Sequence, residues 1–498
     1  MPQIISRKLN ESFYQVKGSI NSLKPIMKRL QVLRTDAYFD PMVKRGLKSP
    51  YDNFYEVVDN SLIIPAGLVQ FLSSYGVNYE YLNPEFTKEK LDEYLNSLNL
   101  PFTPYKHQLN SFKDSILNHS QINLMCTGSG KSLTIALISD FLRLQGKKGL
   151  LVVPNINLLT QFQGDIKDYN LIDLLNNTHI IGGEHKNKNF DSPFTISTWQ
   201  SLMNFKQDLN KIDYIIIDET HRAKGIQLQQ IIKKCTNAKY KLGFTGTLND
   251  NACDRMTLFG LFGKPKTYIK TQGLIDLGLA TKVNINTIRL HYSEKDRSLF
   301  RHIGGYAKKL VFIKEHEQRN KLISKLSITL SKKGNTLVLF QHTNHGKDLF
   351  LEIVKNIHNV TLTNKDITGK HAFETQKKLG IYFINGEVKG KVREEVRNIL
   401  ENDSNSILVA NFSILSTGVN IKNLHSLIFA SPLKSFTTIT QSIGRGVRKH
   451  ISKDIFNVYD LVDMFTPKGI FAKQYNQRVK QSYETEGFPI IERTITLS

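Results

Sequence analysis

The chain has 498 residues, and its 67 lysines and arginines against 44 aspartates and glutamates give a formal net charge of +23. This length exceeds what one compact core accommodates, so more than one domain is expected, and the positive charge favours a polyanionic partner. The longest apolar runs, such as Tyr214–Ile217, are only strand-sized, and the N-terminal MPQIISRK lacks a secretory hydrophobic region. These patterns exclude a membrane-spanning class and predict a protein of the cytoplasm, to which three cysteines without metal-ligand spacing also point.

The charge is uneven over the first hundred residues. Residues 1–50 carry ten lysines and arginines against three acidic residues, whereas residues 51–100 carry eight acidic residues against two lysines. We interpret residues 1–95 as a small α+β module that binds DNA, with Lys44 and Arg45 as candidates for contacts with duplex phosphates. The alternative is a solvated basic face that only keeps the protein soluble.

Strand and helix patterns alternate from about residue 104. Helices are predicted over 105–119 and 131–144, and short apolar strands over 122–125, 149–153, 179–181, 194–197, 214–217 and 241–244. Such alternation is typical of a buried parallel sheet with helices on both faces. We place this first α/β domain at 96–284.

A second set of strand candidates begins near residue 335. Its strands are predicted at 336–340, 381–384, 406–410, 426–430 and 456–459, with helical stretches such as 388–402 between them. The predicted fold class is therefore α/β, with two tandem domains and the small N-terminal module. We expect the second α/β domain at 331–465, a connector with a helical part at 285–330, and a C-terminal extension at 466–498.

The stretch TGSGKS lies between a predicted strand and a predicted helix, which is the setting of a phosphate-binding loop. Glycines let main-chain N–H groups turn towards phosphates, the lysine supplies charge, and the serine hydroxyl can bind Mg²⁺. Met125 stands where the usual pattern has its first glycine. The candidates for binding ATP and Mg²⁺ are Thr127, Gly128, Ser129, Gly130, Lys131 and Ser132.

An acidic pair follows the strand in YIIIDETH. Asp218 is placed to hold Mg²⁺, usually through water, and Glu219 to orient and deprotonate an attacking water. Alone such a pair is weak evidence, but after a phosphate loop in one α/β domain it predicts an ATPase site.

A third motif, QSIGRGVR, lies in the second α/β domain. We predict catalytic roles for Gln441, Arg445 and Arg448. The two arginines are three residues apart, so in a helical turn they share a face. Arginines on a separate domain would make hydrolysis depend on domain closure, since they stabilise charge on the γ-phosphate. The alternative is a basic surface helix.

Together these motifs resemble the DExH branch of the superfamily 2 helicases over residues 100–460, with Thr220 in place of the more usual cysteine. The resemblance implies two RecA-like domains with ATP between them, Gln108 as the adenine contact and Tyr105 as a stacking partner. It implies a further cofactor contact at Gly418 and coupling through Thr245, Thr247 and His221. It also implies nucleic-acid contacts at Pro154, Asn155, Thr198, Trp199, Gln200, His342 and Thr417.

Several segments are similar to a narrower group, the UvsW-type phage recombination helicases. They are YFDPMVKRG at 38–46, IIPAGLVQFL at 63–72, FQHTNHGK at 340–347, STGVNIKNLH at 416–425 and IGRGVRKH at 443–450. This resemblance implies single-stranded, forked and four-way DNA as partners, branch migration, and roles in phage recombination, replication and repair in the host cytoplasm. We expect a monomer.

Three other functions stay open at this point: a double-stranded DNA translocase of a restriction system, an RNA helicase, and a DNA-binding clamp without catalysis. Two residues also have two interpretations each. Trp199 either stacks on a base or packs in the core, and His221 either couples ATP to DNA or is a loop histidine with satisfied hydrogen bonds.

Overall fold

The computed structural model describes residues 4–77, 84–183, 189–203, 209–248, 251–369, 371–412, 421–433 and 435–497. The chain divides into two compact units, Met1–Ile269 and Lys270–Ser498. Across the described ranges, no helix is long and apolar enough to cross a membrane.

The first unit opens with a small module built on an antiparallel sheet. Its strands are β1 (Ile5–Lys8), β2 (Phe13–Lys17), β3 (Gln31–Leu33), β4 (Tyr51–Asn53), β5 (Glu56–Val58) and β6 (Ser61–Pro65). Its helices are α1 (Ile20–Arg29), α2 (Pro41–Lys44) and α3 (Ala66–Val69), followed by a 3-10 turn at Ser73–Tyr75. The main sheet has the order β1-β2-β6-β5, and β3 pairs with β4. The Ser19 side chain caps α1, which buries Leu23 and Ile26.

The first α/β domain follows, with a seven-stranded parallel sheet. Its strands are β7 (Ser120–Met125), β8 (Gly149–Val153), β9 (Thr178–Ile181), β10 (Phe194–Thr198), β11 (Tyr214–Asp218), β12 (Tyr240–Thr245) and β13 (Pro265–Ile269). The strand order is β13-β7-β12-β11-β8-β10-β9. Its helices are α4 (Lys88–Ser97), α5 (Lys106–Asn118), α6 (Lys131–Leu144), α7 (Ile156–Asp168), α8 (Ile172–Asn176), α9 (Trp199–Met203), α10 (Ile226–Lys234) and α11 (Ala252–Phe262), with 3-10 turns at Leu209–Lys211 and Thr220–Lys224.

This sheet is buried on both faces, as the sequence predicts. Along β11, Tyr214 and Ile216 belong to one hydrophobic cluster, whereas Ile215 and Ile217 belong to another. Successive side chains of a strand point to opposite faces, so each cluster occupies one side of the sheet. The polar residues that follow the strands therefore emerge at its carboxyl edge, outside both cores.

The N-terminal module packs directly against α11. A Cβ atom added to Gly67 would lie 2.0 Å from the main-chain oxygen of Phe259, so α3 and α11 meet backbone to backbone. The rings of Phe71 and Phe259 stack with centroids 5.7 Å apart, and the buried Nζ of Lys241 donates to Ser12 Oγ. The sequence led us to expect a separate module, but the structure joins it to the first α/β domain in one compact unit.

The second unit contains another seven-stranded parallel sheet. Its strands are β14 (Lys282–His291), β15 (Thr336–Phe340), β16 (Ile381–Ile384), β17 (Ile407–Asn411), β18 (Ser426–Phe429), β19 (Ile455–Met464) and β20 (Ile490–Thr496), in the order β16-β17-β15-β18-β19-β14-β20. Its helices are α12 (Thr271–Asp276), α13 (Glu294–His302), α14 (Tyr306–Glu315), α15 (Glu317–Ser331), α16 (Thr343–His358), α17 (Asn364–Thr368), α18 (Ala372–Leu379), α19 (Gly390–Asn402), α20 (Phe436–Gly446), α21 (Ile470–Arg478) and α22 (Glu484–Glu486), with a π-helical turn at Val479–Tyr483.

Two segments that the sequence analysis placed outside the second α/β domain are strands of its sheet. β14 begins within the expected first α/β domain and runs into the expected connector, so the expected limit at 284 is corrected, and β20 comes from the expected C-terminal extension. β14 pairs in register with β19 on one side and β20 on the other. The expected limits at 285–330 and 466–498 are therefore corrected. The sequence did not reveal these strands as parts of the sheet because main-chain hydrogen bonds place them there, while their side chains form no continuous apolar run.

Candidate nucleotide-binding site

The predicted phosphate loop connects β7 to α6 at the carboxyl edge of the first sheet. Gly128 and Gly130 have φ angles of 83° and 82°, a backbone region that favours glycine. Gly130 is also the N-cap of α6 and makes no side-chain capping bond. The first-turn N–H groups of α6 and its dipole thus provide a setting for an anion such as a phosphate.

Met125, the departure from the usual glycine pattern, is fully buried in the hydrophobic cluster on one face of the sheet. Its side chain therefore belongs to the core, and its main-chain oxygen accepts a hydrogen bond from Lys131 Nζ at 3.3 Å. Burial raises the pKa of Tyr169, and the Ser132 hydroxyl nearby opposes that rise. Sequence reasoning did not single out Tyr169, because it lies far from the loop along the chain.

Two side chains from the first turn of α5 hold the loop from outside. Gln108 donates from Nε2 to the main-chain oxygen of Ser129 at 2.9 Å, and its Oε1 accepts from Tyr105 N at 2.8 Å. His107 Nε2 lies 2.8 Å from the same Ser129 oxygen. Burial lowers the pKa of His107, which favours the neutral ring, with Nε2–H as the donor to this carbonyl. The sequence analysis named Gln108 and missed His107, whose only signal was its place beside Gln108.

Tyr105 is placed as a stacking partner would require. Its side chain is 46% exposed, and its ring lies nearly parallel to that of His107 with centroids 5.7 Å apart. The exposed ring leaves room for a planar group, so the predicted contact with adenine stays a prediction compatible with this geometry.

The acidic pair lies where β11 ends. Glu219 adopts a left-handed conformation, with φ 54° and ψ 53°, and its N–H donates to Asp218 Oδ1 at 2.9 Å. Burial, followed by the adjacent Glu219 carboxylate, raises the pKa of Asp218. Burial also opposes ionisation of Glu219, but the hydrogen bond from His221 and the charge of Lys131 outweigh it and lower the pKa of Glu219. A non-glycine residue in this region is uncommon and is typical of functional sites.

These residues fit a Mg²⁺ ion. A half-buried carboxylate whose pKa is raised beside a second carboxylate marks a position that favours a cation. Mg²⁺ is usually held by one or two carboxylates together with phosphate oxygens and water, so Asp218 with a serine hydroxyl is a sufficient protein donor set.

The three residues predicted to couple the nucleotide to DNA lie together with Glu219. His221 Nδ1 is 3.3 Å from Glu219 Oε2 and 3.0 Å from Thr245 Oγ1. Thr245 Oγ1 in turn donates to the main-chain oxygen of Thr247 at 3.0 Å. His221 thus connects the acidic pair at the end of β11 to the segment that follows β12. A loop histidine that only needs its hydrogen bonds satisfied would not have to contact both segments.

Thr220 fills the position of the expected cysteine and has a structural role. Its Oγ1 lies 3.0 Å from the oxygen of Ile217 and 3.1 Å from that of Phe244, so it spans β11 and β12. A Cβ atom added to Gly243 would lie 2.6 Å from this Oγ1. The hydroxyl therefore packs tightly between the two strands that carry the acidic and coupling residues.

In the second unit, Gln441 and Arg445 both lie on α20, four residues apart and thus on one face. The prediction that Arg448 continues this helical face is wrong. α20 ends at Gly446, Thr281 N donates to Val447 O at 2.7 Å, and Arg448 pairs with Ala280 in an antiparallel bridge. Val447 still has helical backbone angles, with φ −77° and ψ −6°, so the chain leaves the helix at Arg448, which belongs to the bridge.

The end of α20 is fixed by a buried lysine. Lys453 Nζ donates to the main-chain oxygens of Gly446 and Lys422, each at 2.7 Å. A cation at a helix C-terminus is favoured by the free carbonyl groups and the dipole. Burial lowers the pKa of Lys453 to about 8. Sequence reasoning missed this residue, which lies beyond the arginine motif.

The predicted nucleic-acid residues follow strands of the two sheets. Asn155 comes after β8 and caps α7, accepting from Leu158 N at 3.2 Å. Thr198 ends β10, the exposed Gln200 follows it, and His342 precedes α16. Pro154 is buried beside Asn155. Thr417 and Gly418 lie outside the described residues.

Trp199 is half-buried and packs against the hydrophobic cluster on one face of the first sheet. This position favours the core interpretation over base stacking.

The basic module presents aromatic rings beside its predicted phosphate contacts. Tyr38 and Phe39 are 78% and 75% exposed, and their rings meet edge to face at 5.3 Å. Lys44 Nζ lies 5.4 Å from the centre of the Tyr38 ring, and Arg45 is exposed next to it. Sequence reasoning named Lys44 and Arg45 but missed the two rings, because exposure of an aromatic side chain cannot be deduced from composition.

Comparison with known proteins finds similar helicases. A family model described as the res subunit of type III restriction enzymes matches residues 99–250, and one described as the helicase conserved C-terminal domain matches residues 317–450. The ATP-dependent DNA helicase uvsW of Enterobacteria phage T4 is 29% identical over 498 residues, covering 93% of each chain. The crystal structure of T4 UvsW covers 100% of both chains at 25% identity, with a TM-score of 0.48. The helicase MrfA bound to DNA and AMPPNP covers 83% of this chain and 54% of its own, at 16% identity and a TM-score of 0.53, which reflects a shared fold.

Proposed function

The chain belongs to the superfamily 2 helicases, and from that premise we propose that it is an ATP-dependent DNA helicase that remodels forks and four-way junctions. The observation that carries the proposal is the likeness to the phage T4 DNA helicase, which extends over 93% of both chains and so includes the N-terminal module. A net charge of +23 suits a DNA partner. The role would lie in phage recombination, replication and repair.

We assign the chemistry of the first unit as follows. The N-terminus of α6 and Lys131 bind the phosphates of ATP, and Gln108 with Tyr105 binds the base. Asp218 and Ser132 would hold Mg²⁺, and such an ion would supply positive charge against the phosphates. Glu219, kept ionised by His221, orients the attacking water and accepts its proton.

The contact between His221 and Thr245 is the proposed link between hydrolysis and movement. A change at Glu219 on hydrolysis alters the partner of His221, and Thr245 reports that change to the segment after β12. Gln441, Arg445 and Arg448 are proposed to bind phosphate in the same reaction. Contacts with the DNA backbone position DNA without reading its sequence. We propose such contacts for Pro154, Asn155, Thr198, Gln200 and His342.

Energetics favour branched DNA as the substrate. Unwinding a duplex costs roughly 1.4 kcal/mol of stacking per base-pair step. Branch migration forms a new base pair for each one broken, so its net cost is close to zero. A motor that holds a junction with a small basic and aromatic module, here Tyr38, Phe39, Lys44 and Arg45, is suited to this exchange.

The test is a panel of four DNA substrates: single strand, linear duplex, fork and four-way junction. ATP hydrolysis and product formation are measured on each, with Lys131→Ala as the inactive control. We expect junctions and forks to be processed faster than long duplexes. Equal rates on linear duplex and on junctions would remove branch migration from the proposal, and no DNA-stimulated hydrolysis would remove the helicase itself.

A restriction-type translocase is the second candidate, because the family model that matches residues 99–250 is described by a restriction subunit. Such a motor moves along duplex DNA without separating its strands. Displacement of a third strand from a linear triplex, without fork remodelling, would favour it. Matched DNA and RNA forks in competition test another alternative, an RNA helicase.

A further inference from the structure

The second unit carries a group of cations that the proposed nucleotide site does not use. Helices α13 and α14 follow one another over Glu294–Glu315, a segment here called the basic hairpin, and the rings of Phe300 and Phe312 meet with centroids 5.9 Å apart. Its exposed or half-exposed basic residues are Lys295, Arg297, Arg301, His302, Lys308, Lys309 and Lys314. Arg297 lies 3.9 Å from Glu294, whereas the ion pairs found among the described residues include none with Lys295, Arg301 or Lys308. Their charge is therefore available to a partner.

Aromatic packing fixes this hairpin to the sheet. The ring of Phe465, just after β19, lies between Tyr292 at 3.9 Å and Phe300 at 3.8 Å. Tyr306 stacks on Phe471 of α21 with centroids 5.8 Å apart, and its hydroxyl accepts from Gln474 Nε2 at 3.2 Å. The cations thus project from a firmly held support, which reduces the entropy lost when they bind.

The basic hairpin also lies beside a predicted nucleic-acid residue. α13 starts just after β14, at the carboxyl edge of the sheet, where His342 follows β15. Burial and the nearby charge of Lys314 both lower the pKa of His342. Asn320 joins the two elements, since its Nδ2 donates to Lys314 O at 2.7 Å and its Oδ1 lies 3.2 Å from Nε2 of His345 in α16. Hydrogen bonds through Asn320 therefore connect the end of the basic hairpin to the first turn of α16, beside His342.

We propose that the basic hairpin binds the phosphate backbone of a duplex arm of branched DNA. This inference rests on the proposed function and adds a second DNA-binding surface, in the second unit. The ten residues of α14 span about 15 Å, and duplex DNA carries one charge per roughly 1.7 Å of its axis. Several phosphates thus lie within reach of one helix.

The chemistry of the hairpin favours a duplex over a single strand. Surfaces for single strands offer aromatic rings on which successive bases stack. The one strongly exposed aromatic side chain of the basic hairpin is Tyr306, at 39%, and its ring and hydroxyl already contact Phe471 and Gln474. What remains available is positive charge, which suits phosphates that face outward from paired strands.

The experiment replaces two hairpin cations, Arg301→Gln with Lys308→Gln. The matched control is Lys332→Gln with Lys333→Gln, which removes the same charge from exposed residues at the C-terminal end of α15. Those lysines come just before β15 and so lie at the opposite edge of the sheet. Thermal unfolding and ATP hydrolysis without DNA are measured first, and both pairs should match the wild type.

Binding to a four-way junction and to a single strand is then measured as a function of salt. Each cation that no longer neutralises a duplex phosphate reduces the slope of log K against log salt by about 0.9. We expect the hairpin pair to lower the junction slope by about 1.8 and leave the single-strand slope unchanged. Junction binding equal to that of the control pair would overturn the inference, and so would an equal loss of affinity for the single strand.

The two proposals fail in different ways in this experiment. If the wild type shows no DNA-stimulated ATP hydrolysis, the proposed helicase function fails. If the wild type is stimulated by junctions and the hairpin pair keeps its salt slope, only the basic hairpin fails.

Discussion

Gln108 and Gly130 occupy positions that leave no space for a side chain between them. A Cβ atom added to Gly130 would lie 2.0 Å from Nε2 of Gln108. The same Nε2 donates to the main-chain oxygen of Ser129. The residue proposed to contact the base is therefore in direct contact with the loop proposed to contact the phosphates.

Gly130→Ala should weaken ATP binding more than Gly128→Ala. Both glycines have a φ near 83°, where an alanine costs about 1–2 kcal/mol. Only the alanine at 130 would also displace Gln108, since nothing lies within 4 Å of a Cβ atom at Gly128. Equilibrium binding of an ATP analogue measures the difference, and equal affinities of the two variants would contradict the proposed role of this contact.

Glu219→Gln should bind ATP and DNA normally and hydrolyse ATP at least about a hundredfold more slowly, since general-base catalysis contributes roughly 10²–10⁴-fold. The amide keeps the size of the side chain but cannot accept a proton from water. Single-turnover hydrolysis separates this effect from binding. Wild-type turnover would remove Glu219 from its assigned role, and a lower melting temperature would indicate a structural loss instead.

ATP hydrolysis should fall on the acid side at a higher pH than a free aspartate predicts. Burial and Glu219 raise the pKa of Asp218 above the ordinary value of about 3.9. Asp218 is therefore protonated, and unable to bind Mg²⁺, as the pH falls through its raised pKa. Because Mg²⁺ binds the ionised form, more Mg²⁺ should move the acid limb of the pH–rate profile to lower pH. If the acid limb of the profile does not move with the Mg²⁺ concentration, a group other than Asp218 is responsible for it.

Arg319→Leu should destabilise the second unit far more than Arg289→Leu. Arg319 is fully buried and donates from Nε to Asp463 Oδ1 at 2.8 Å, so its loss leaves a buried carboxylate unpaired, at a cost of about 3–5 kcal/mol. Arg289 pairs with Glu492 at 2.8 Å on the surface, where an ion pair contributes about 0–1 kcal/mol. Urea unfolding followed by circular dichroism compares them, and similar midpoints would contradict the prediction.

Lys44→Ala with Arg45→Ala should weaken junction binding and reduce its salt dependence, by about 0.9 in slope for each phosphate that is no longer neutralised. The control, Lys24→Ala with Lys28→Ala, removes exposed cations from α1 of the same module. If both pairs lose affinity equally, the effect belongs to the net charge of the module and not to the surface beside Tyr38 and Phe39.

The sequence predicted the buried parts of the fold best. The helix 131–144 and the strands 149–153, 336–340 and 381–384 lie where the structure has them, because continuous apolar runs and glycine breaks mark such elements clearly. β13 and β20 were missed, and β14 was placed in a connector with only weak strand character. β13 begins with a proline at a sheet edge, and β20 contains charged residues that face solvent, so neither forms an apolar run.

The candidate nucleotide-binding site also divides into residues that the sequence could indicate and residues that only the fold reveals. Residues within motifs, such as Lys131 and Glu219, could be named from the sequence because their order along the chain is diagnostic. His107, Tyr169 and Lys453 could not, since their roles depend on contacts with main-chain or side-chain atoms that only folding brings near. The position of Arg448 could not be predicted either. Its spacing from Arg445 suggested a shared helical face, whereas the structure pairs Arg448 with Ala280 in an antiparallel bridge.

The close backbone contact between Gly67 and α11 has a mechanical consequence. A tether between two domains stretches before it transmits force, whereas main-chain atoms in direct contact resist displacement at once. Tension on DNA held by the N-terminal module would therefore reach α11 with little compliance, and from there the sheet that carries the phosphate loop. With DNA held by the module as proposed, such stiffness would let an opposing force on the DNA act on the ATPase cycle, and the stall force should then depend on the packing of Gly67.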